Sequence, residues 1–192
     1  MPDQDSRSVL VALGKGRGKP RSPTLPNVND CGDIGLRIAR DGTWSYRGSP
    51  IGRKPLVKLF ASVLRREADG RYFLVTPVEK VGIEVEDAPF LAVAMTVEGA
   101  GKEQRLSFLT NLDDVVVADP AHSLSFRVEQ DRSFTPFVEV RDGLRARLTR
   151  AVYYELVAVA VGDGDAERRE FGVWSGGTFF PFPASPVSEP EA

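Results

Sequence analysis

A nine-residue pattern occurs twice in this chain, LRIARDGTW at 36–44 and FRVEQDRSF at 126–134, with the copies ninety positions apart. Arg37/Arg127 and Asp41/Asp131 are identical between them, and Leu/Phe, Ile/Val, Thr/Ser and Trp/Phe are conservative exchanges around those positions. An amphipathic stretch of helical period follows each copy, and then an aromatic run of β character, so the chain reads as a duplicated module. A duplication produces two similar halves, and the junction of such halves is a place where small ligands bind. The expected fold is α+β, with two tandem related β-β-α-β modules and mixed, mostly antiparallel sheets.

Punctuation residues divide the chain. Residues 1–28 contain LGKGRGKPRSPTLPNVN, too rich in Gly, Pro and basic residues to bury a core, and read as a flexible tail. GKGRGK is not a phosphate-binding loop: the glycine spacing is one residue short, and Pro20 stands where Ser or Thr must hold magnesium. The first module is expected over 29–120, the second over 121–183, and a Pro/Glu/Ser tail over 184–192.

In the first module, Leu36, Ile38, Trp44 and Tyr46 flank Asp41-Gly42, a hairpin signature. Leu56, Leu59, Phe60, Val63 and Leu64 then form an apolar stripe on a helix expected over 54–67, opened by Pro55, with Lys54, Lys58, Arg65 and Arg66 opposite. Strands are expected at 72–76, 81–86, 90–97, 105–109 and 115–118, with 90–97 central in its sheet. In the second module, strands at 126–128 and 134–140 precede a helix over 143–160 lined by Leu144, Leu148, Val152, Leu156 and Val159. A last hairpin over 171–182 turns at Gly176-Gly177.

With 42% apolar and 27% charged residues this is an ordinary globular composition. The single cysteine, Cys31, rules out an internal disulfide and points to a reducing compartment, the cytoplasm. No apolar run is long enough to span a bilayer, so no membrane partner is expected. Charge is unevenly spread: 13 of the 25 Lys/Arg but only 6 of the 27 Asp/Glu precede residue 69. That is too weak a bias for bulk nucleic-acid binding, and acidic surface elsewhere in the chain balances it.

Catalytic chemistry finds little support. The one histidine, His122, lies in a polar connector with no nucleophile motif nearby, and one His with one Cys makes no zinc centre. No cofactor is implied. Two polar corners, Thr76-Pro77-Val78-Glu79-Lys80 and Glu86-Asp87-Ala88-Pro89, flank the strand over 81–86. Thr76, Glu79, Lys80 and Asp87 there either contact a ligand or simply lock the turns. Cations give the sharper reading: Arg53 and Lys58 at the start of the first helix, and Arg147, Arg150 and Tyr154 at i, i+3 and i+7 on the second, suit a phosphate plus a planar group.

The runs CGDIGLRIARDGTWSYRGSPIGR (31–53), LVTPVEKVGIEVEDAPFLAV (74–93), TNLDDVVVA (110–118), VRDGLRARLTRAVYYEL (140–156) and GVWSGGTFFP (172–181) resemble the bacterial family of unknown function DUF1285. The resemblance covers about residues 30–182. It implies a domain-duplicated α+β fold whose C-terminal half is superficially pleckstrin-homology-like, a ligand site between the halves that takes a nucleotide, and a link to signal transduction. It supplies no catalytic residues. Three functions follow in order: a non-enzymatic ligand-binding or sensor protein for an anionic small molecule of nucleotide type; a protein–protein interaction module with no small ligand, using a sheet edge or the aromatics of the 174–182 hairpin; and an enzyme acting through Glu79, Asp87 and Lys80.

Overall fold

Glycine sets the course of the first strand, β1 (Asn29–Ile38). Gly32 and Gly35 have φ of +64° and +82°, backbone that costs most other residues about 1–2 kcal/mol. They bulge the strand. Against its parallel partner β6 (Glu79–Val85), the register runs from Asp30↔Lys80 through Asp33↔Gly82 to Arg37↔Glu84, so β1 advances seven positions while β6 advances four. The computed structural model describes residues 29–130, 133–163 and 170–183. The tails read at 1–28 and 184–192, and Asp131 of the second motif copy, lie outside those residues.

The chain divides into two compact units between Glu86 and Asp87. In the first, Thr43 N–H donates to Asp41 Oδ1 at 2.9 Å, and Gly42 at φ +81° completes the tight turn into β2 (Trp44–Tyr46) and β3 (Ser49–Pro50). Helix α1 (Lys54–Ser62) opens with Pro55 in its first turn and buries Val57, Phe60 and Ala61. Phe60 stacks on Trp44 with ring centroids 6.3 Å apart. Two expectations are corrected here. The helix ends at Ser62 rather than 67, and its buried stripe is rotated toward Val57, leaving Leu56, Leu59 and Val63 half-buried. Leu64–Arg66 forms β4 and pairs across the Asp69-Gly70 turn with β5 (Tyr72–Val75), which wins over another helical turn that would contain β-branched Val63. Arg65, placed on the outer helix face by the sequence, sits half-buried in β4 and donates to Leu64 O at 2.8 Å. The sheet order is β3-β2-β1-β6-β5-β4, antiparallel at every step except β1–β6.

The second unit contains β7 (Phe90–Glu98), β8 (Arg105–Thr110), β9 (Val115–Val117), β10 (Leu124–Val128), β11 (Phe134–Arg141) and β12 (Leu144–Leu148), ordered β10-β11-β12-β7-β8-β9. Only β12–β7 is parallel. β7 is central as expected, yet only Phe90–Ala92 of it is buried on both faces, and Val93 onward is largely exposed. The helix expected over 143–160 is also corrected. Residues 144–148 are a strand whose Leu144, Ala146 and Leu148 are buried alternately with Arg145 and Arg147, and helix α2 (Arg150–Ala158) starts two residues later. Leu144 and Leu148 are four apart, a spacing that satisfies a helix and a strand equally, so periodicity alone misassigned them. α2 packs on β7 and β12 through Val152 and Leu156. A three-stranded antiparallel sheet, β13 (Val161–Asp163), β14 (Glu170–Ser175) and β15 (Thr178–Pro181), completes the unit. Its hairpin turns at Gly176 and Gly177, with φ of +56° and +75°.

Taken separately, the two six-stranded sheets follow one rule: two three-stranded meanders, with the first and last strands of the six side by side and parallel. The two motif copies also form hairpins of one register, Ile38 opposite Trp44 and Val128 opposite Phe134. No helix among the described residues is long and apolar enough to cross a membrane.

Candidate binding site

The arginine that recurs in the motif is held by carboxylates in both copies. On β1, Arg37 pairs with Glu86 and, at 3.7 Å, with Glu84, while Glu86 Oε2 also accepts the Arg40 N–H at 2.6 Å. On β10, Arg127 Nη1 donates to Asp87 Oδ1 at 2.7 Å, and its Nε and Nη2 donate to Glu129 Oε1 at 3.0 and 2.9 Å. Asp87 is the more enclosed of these acids, its side chain 6% exposed, and its second oxygen lies 3.1 Å from Arg147 Nε. The hydrogen bond to Asp87 raises the Arg127 pKa; burial opposes it and Glu129 reinforces it. Beneath this cluster the ring of Phe137, fully buried on β11, lies under the guanidiniums of Arg127 and Arg145 at 5.0 and 4.8 Å.

Asp87 and Arg147 are thus brought together as each other's partners, with Arg147 on strand β12 and not on a helix face beside Arg150. The sequence reading missed Arg127 at this cluster, although its repetition at equivalent positions was the available signal. These pairs tie Arg127 on β10 and Arg147 on β12 to Asp87 in the segment leading into β7.

The remaining expected residues are dispersed. Thr76 is buried and structural: its Oγ1 accepts the Glu79 N–H at 3.0 Å and donates to Glu79 O at 3.1 Å, closing the β5–β6 turn. Lys80 Nζ pairs with Glu67 Oε1 at 2.5 Å and sits 4.0 Å from the centre of the Phe73 ring, while half-buried Glu79 begins β6. Arg53 is the exposed N-cap of α1, and Lys58 is exposed one turn along. Arg150 does meet Tyr154, with Nε and Nη2 donating to the phenol oxygen at 3.0 and 2.9 Å on an exposed part of α2. A depression of about 440 Å³ in the first unit, with Gly82, Asp33, Arg71 and Glu84 among its lining residues, contains none of the nine expected site residues. Among the described residues there is no group of three or more His, Cys, Asp or Glu able to hold a metal.

The second unit exposes apolar side chains where β10 meets the last hairpin. Phe171 is 62% and Val128 60% exposed. Phe126 and Phe182 pack edge to face at 5.2 Å, Phe182 N–H donates to Phe171 O at 2.7 Å, and Val128 follows Phe126 on the same face of β10. Strand pairing and alternation thus place Phe171 and Val128 next to the Phe126–Phe182 pair. β10 is also an edge of its sheet, so backbone hydrogen-bonding groups lie along the same border.

Residues 25–88 match the family described as a domain of unknown function (DUF1285), N-terminal domain, and residues 89–182 match its C-terminal domain. Two crystal structures of DUF1285 family proteins are similar. The one from Silicibacter pomeroyi DSS-3 is 43% identical, the match covering 90% of this chain and 93% of that one with a TM-score of 0.77. The one from Shewanella baltica OS155 is 33% identical, covering 65% of this chain and 91% of that one with a TM-score of 0.51. No curated protein matches.

Proposed function

We propose a role for this chain from the premise that it belongs to the DUF1285 family, a family of unknown function: it is a non-enzymatic interaction module that holds a partner protein through the apolar patch of its second unit. The exposure of Phe171 and Val128 beside Phe126 and Phe182 carries this reading, because large apolar side chains exposed at a sheet edge favour association. The main charged cluster, around Asp87, is occupied with internal ion pairs, which supports binding through apolar contact instead. The test is quantitative affinity capture with the wild-type chain and a Val128→Ser/Phe171→Ser variant of unchanged circular dichroism. A protein retained by the first and lost by the second supports the reading; identical captures overturn it.

A second reading keeps the anionic small molecule, of nucleotide type and tied to signalling. Both helices begin without a side-chain cap and without an acidic residue in the first turn, and place Arg53, Lys54 and Arg150 there instead. A nucleotide at a hundred times its dissociation constant stabilises the fold by about 2.7 kcal/mol, so a thermal-shift series decides this reading. Under either reading the chain works in the cytoplasm. We read its fold as a duplication of a meander–helix–meander unit, on the shared register of the two motif hairpins. The pleckstrin-homology-like reading of the second unit draws on its two meanders followed directly by α2.

A further inference from the structure

The single histidine lies at a different place from the apolar patch. β9 is the other edge of the second unit's large sheet, and the turn Asp119–His122 carries the chain from it into β10. Beside this turn is an open depression of about 450 Å³, within the size range of small-molecule sites. Val116 and Val140 supply its apolar wall, and Arg105, Asp114, Arg141, Asp119 and His122 its polar one.

Asp119 Oδ1 accepts three hydrogen bonds: from the backbone N–H groups of Ala121 and His122, both at 2.8 Å, and from His122 Nδ1 at 3.1 Å. Burial works to raise the Asp119 pKa, but the bonds from His122 and Ala121 outweigh it and hold the carboxyl below its ordinary range. An ionised acceptor at Nδ1 keeps the proton on that nitrogen, so in the neutral ring the lone pair is at Nε2. Nε2 has no hydrogen-bond partner among the described residues, and neither does the exposed guanidinium of Arg105. Arg141 is turned toward Asp114 Oδ2 at 3.6 Å and lies 5.1 Å over the Phe90 ring.

We infer that this depression is a binding site for a compact tetrahedral oxyanion, such as a phosphate monoester, held by Arg105 and His122. With His122 neutral, the two arginines balance Asp114 and Asp119. Protonating the ring at Nε2 makes the lining cationic and adds a donor aimed at the anion. A protonated ring therefore holds the anion more tightly than a neutral one. A neutral ring instead presents its Nε2 lone pair to a phosphate hydroxyl, while Arg105 supplies the charge. This site stands apart from the proposed partner surface, and either can fail without the other.

His122 is the only histidine in the chain, so its ring proton resonances are unambiguous in the full-length protein. The probe is inorganic phosphate, titrated at constant ionic strength against chloride. A saturable shift of the His122 ring signals in phosphate, beyond any seen in chloride, is expected. Arg105→Ala should weaken phosphate binding about tenfold or more, the equivalent of one charge-assisted hydrogen bond, with unchanged circular dichroism. Arg66→Ala, exposed in the first unit, should bind as wild type. If phosphate moves the ring signals no further than chloride does, or if Arg105→Ala binds as tightly as wild type, the assignment is wrong.

Discussion

Replacing Asp87 by Asn keeps the shape of the side chain and removes its charge, which isolates what the carboxylate does between Arg127 and Arg147. Its side chain is 6% exposed and faces both guanidiniums, at 2.7 and 3.1 Å. Breaking a fully buried pair costs about 3–5 kcal/mol. Here solvent reaches both arginines, Arg127 keeps Glu129 and the Phe137 ring, and an asparagine oxygen still accepts one hydrogen bond. The expected loss is therefore about 2 kcal/mol, of the order of one hydrogen bond to a charged group. At this chain length that lowers the melting temperature by about 4–8 °C. The two tryptophans report separately, Trp44 from the first unit and Trp174 from the second, so fluorotryptophan labelling with ¹⁹F NMR resolves which unit responds. The Trp174 transition should move, and a double-mutant cycle with Arg127→Gln should show coupling of about 1 kcal/mol. A loss below about 0.5 kcal/mol, or strictly additive variants, would refute the view that this cluster holds the β10–β12 face together.

Three other outcomes are expected. Phe60→Ala should destabilise by about 3–5 kcal/mol in urea unfolding, because the ring is buried against Trp44, whereas exposed Lys58→Ala should change stability by less than about 0.5 kcal/mol. Gly172→Ala should block folding of the last sheet, seen as loss of Trp174 near-ultraviolet dichroism, since a Cβ there would collide with Phe180 O and lie 2.8 Å from Pro181 Cα. The Asp119 carboxyl titrates below its unfolded value of 3.8, so its contribution is present above that pH and is lost as acid protonates it. Asp119→Asn should accordingly flatten the fall in stability below about pH 4 measured by acid-dependent urea midpoints.

The parts of the fold visible in the sequence were those with strong local chemistry. Asp41-Gly42 and Gly176-Gly177 turn where their residues allow positive φ, and the alternating runs from Tyr72 to Val117 are strands. Pattern and structure part where the spacing is ambiguous. Leu144 and Leu148 satisfy both periods, and only the pairing of Ala146 with Val138 on one side and Phe90 on the other makes β12 a strand. Val63 and Leu64 continue the spacing of the helical stripe, and only the pairing of Leu64 with Leu74 makes β4 a strand. Of the candidate site, Asp87 and Arg147 were named separately, and what joins them is strand order, which local pattern does not carry. Phe126 and Phe182 are 56 positions apart in sequence, so their contact was equally invisible there. His122 reads as an ordinary loop residue until the Asp119 turn fixes its ring.

The partner-binding claim is tested most directly by photo-crosslinking in the cells that make the protein. A benzoylphenylalanine at position 171 samples the apolar patch, and one at Val78, 55% exposed in the first unit, serves as control. A discrete adduct with a second, different protein from position 171, absent from position 78, is the predicted result. No adduct from 171, or the same products from both positions, would contradict a partner surface on the second unit.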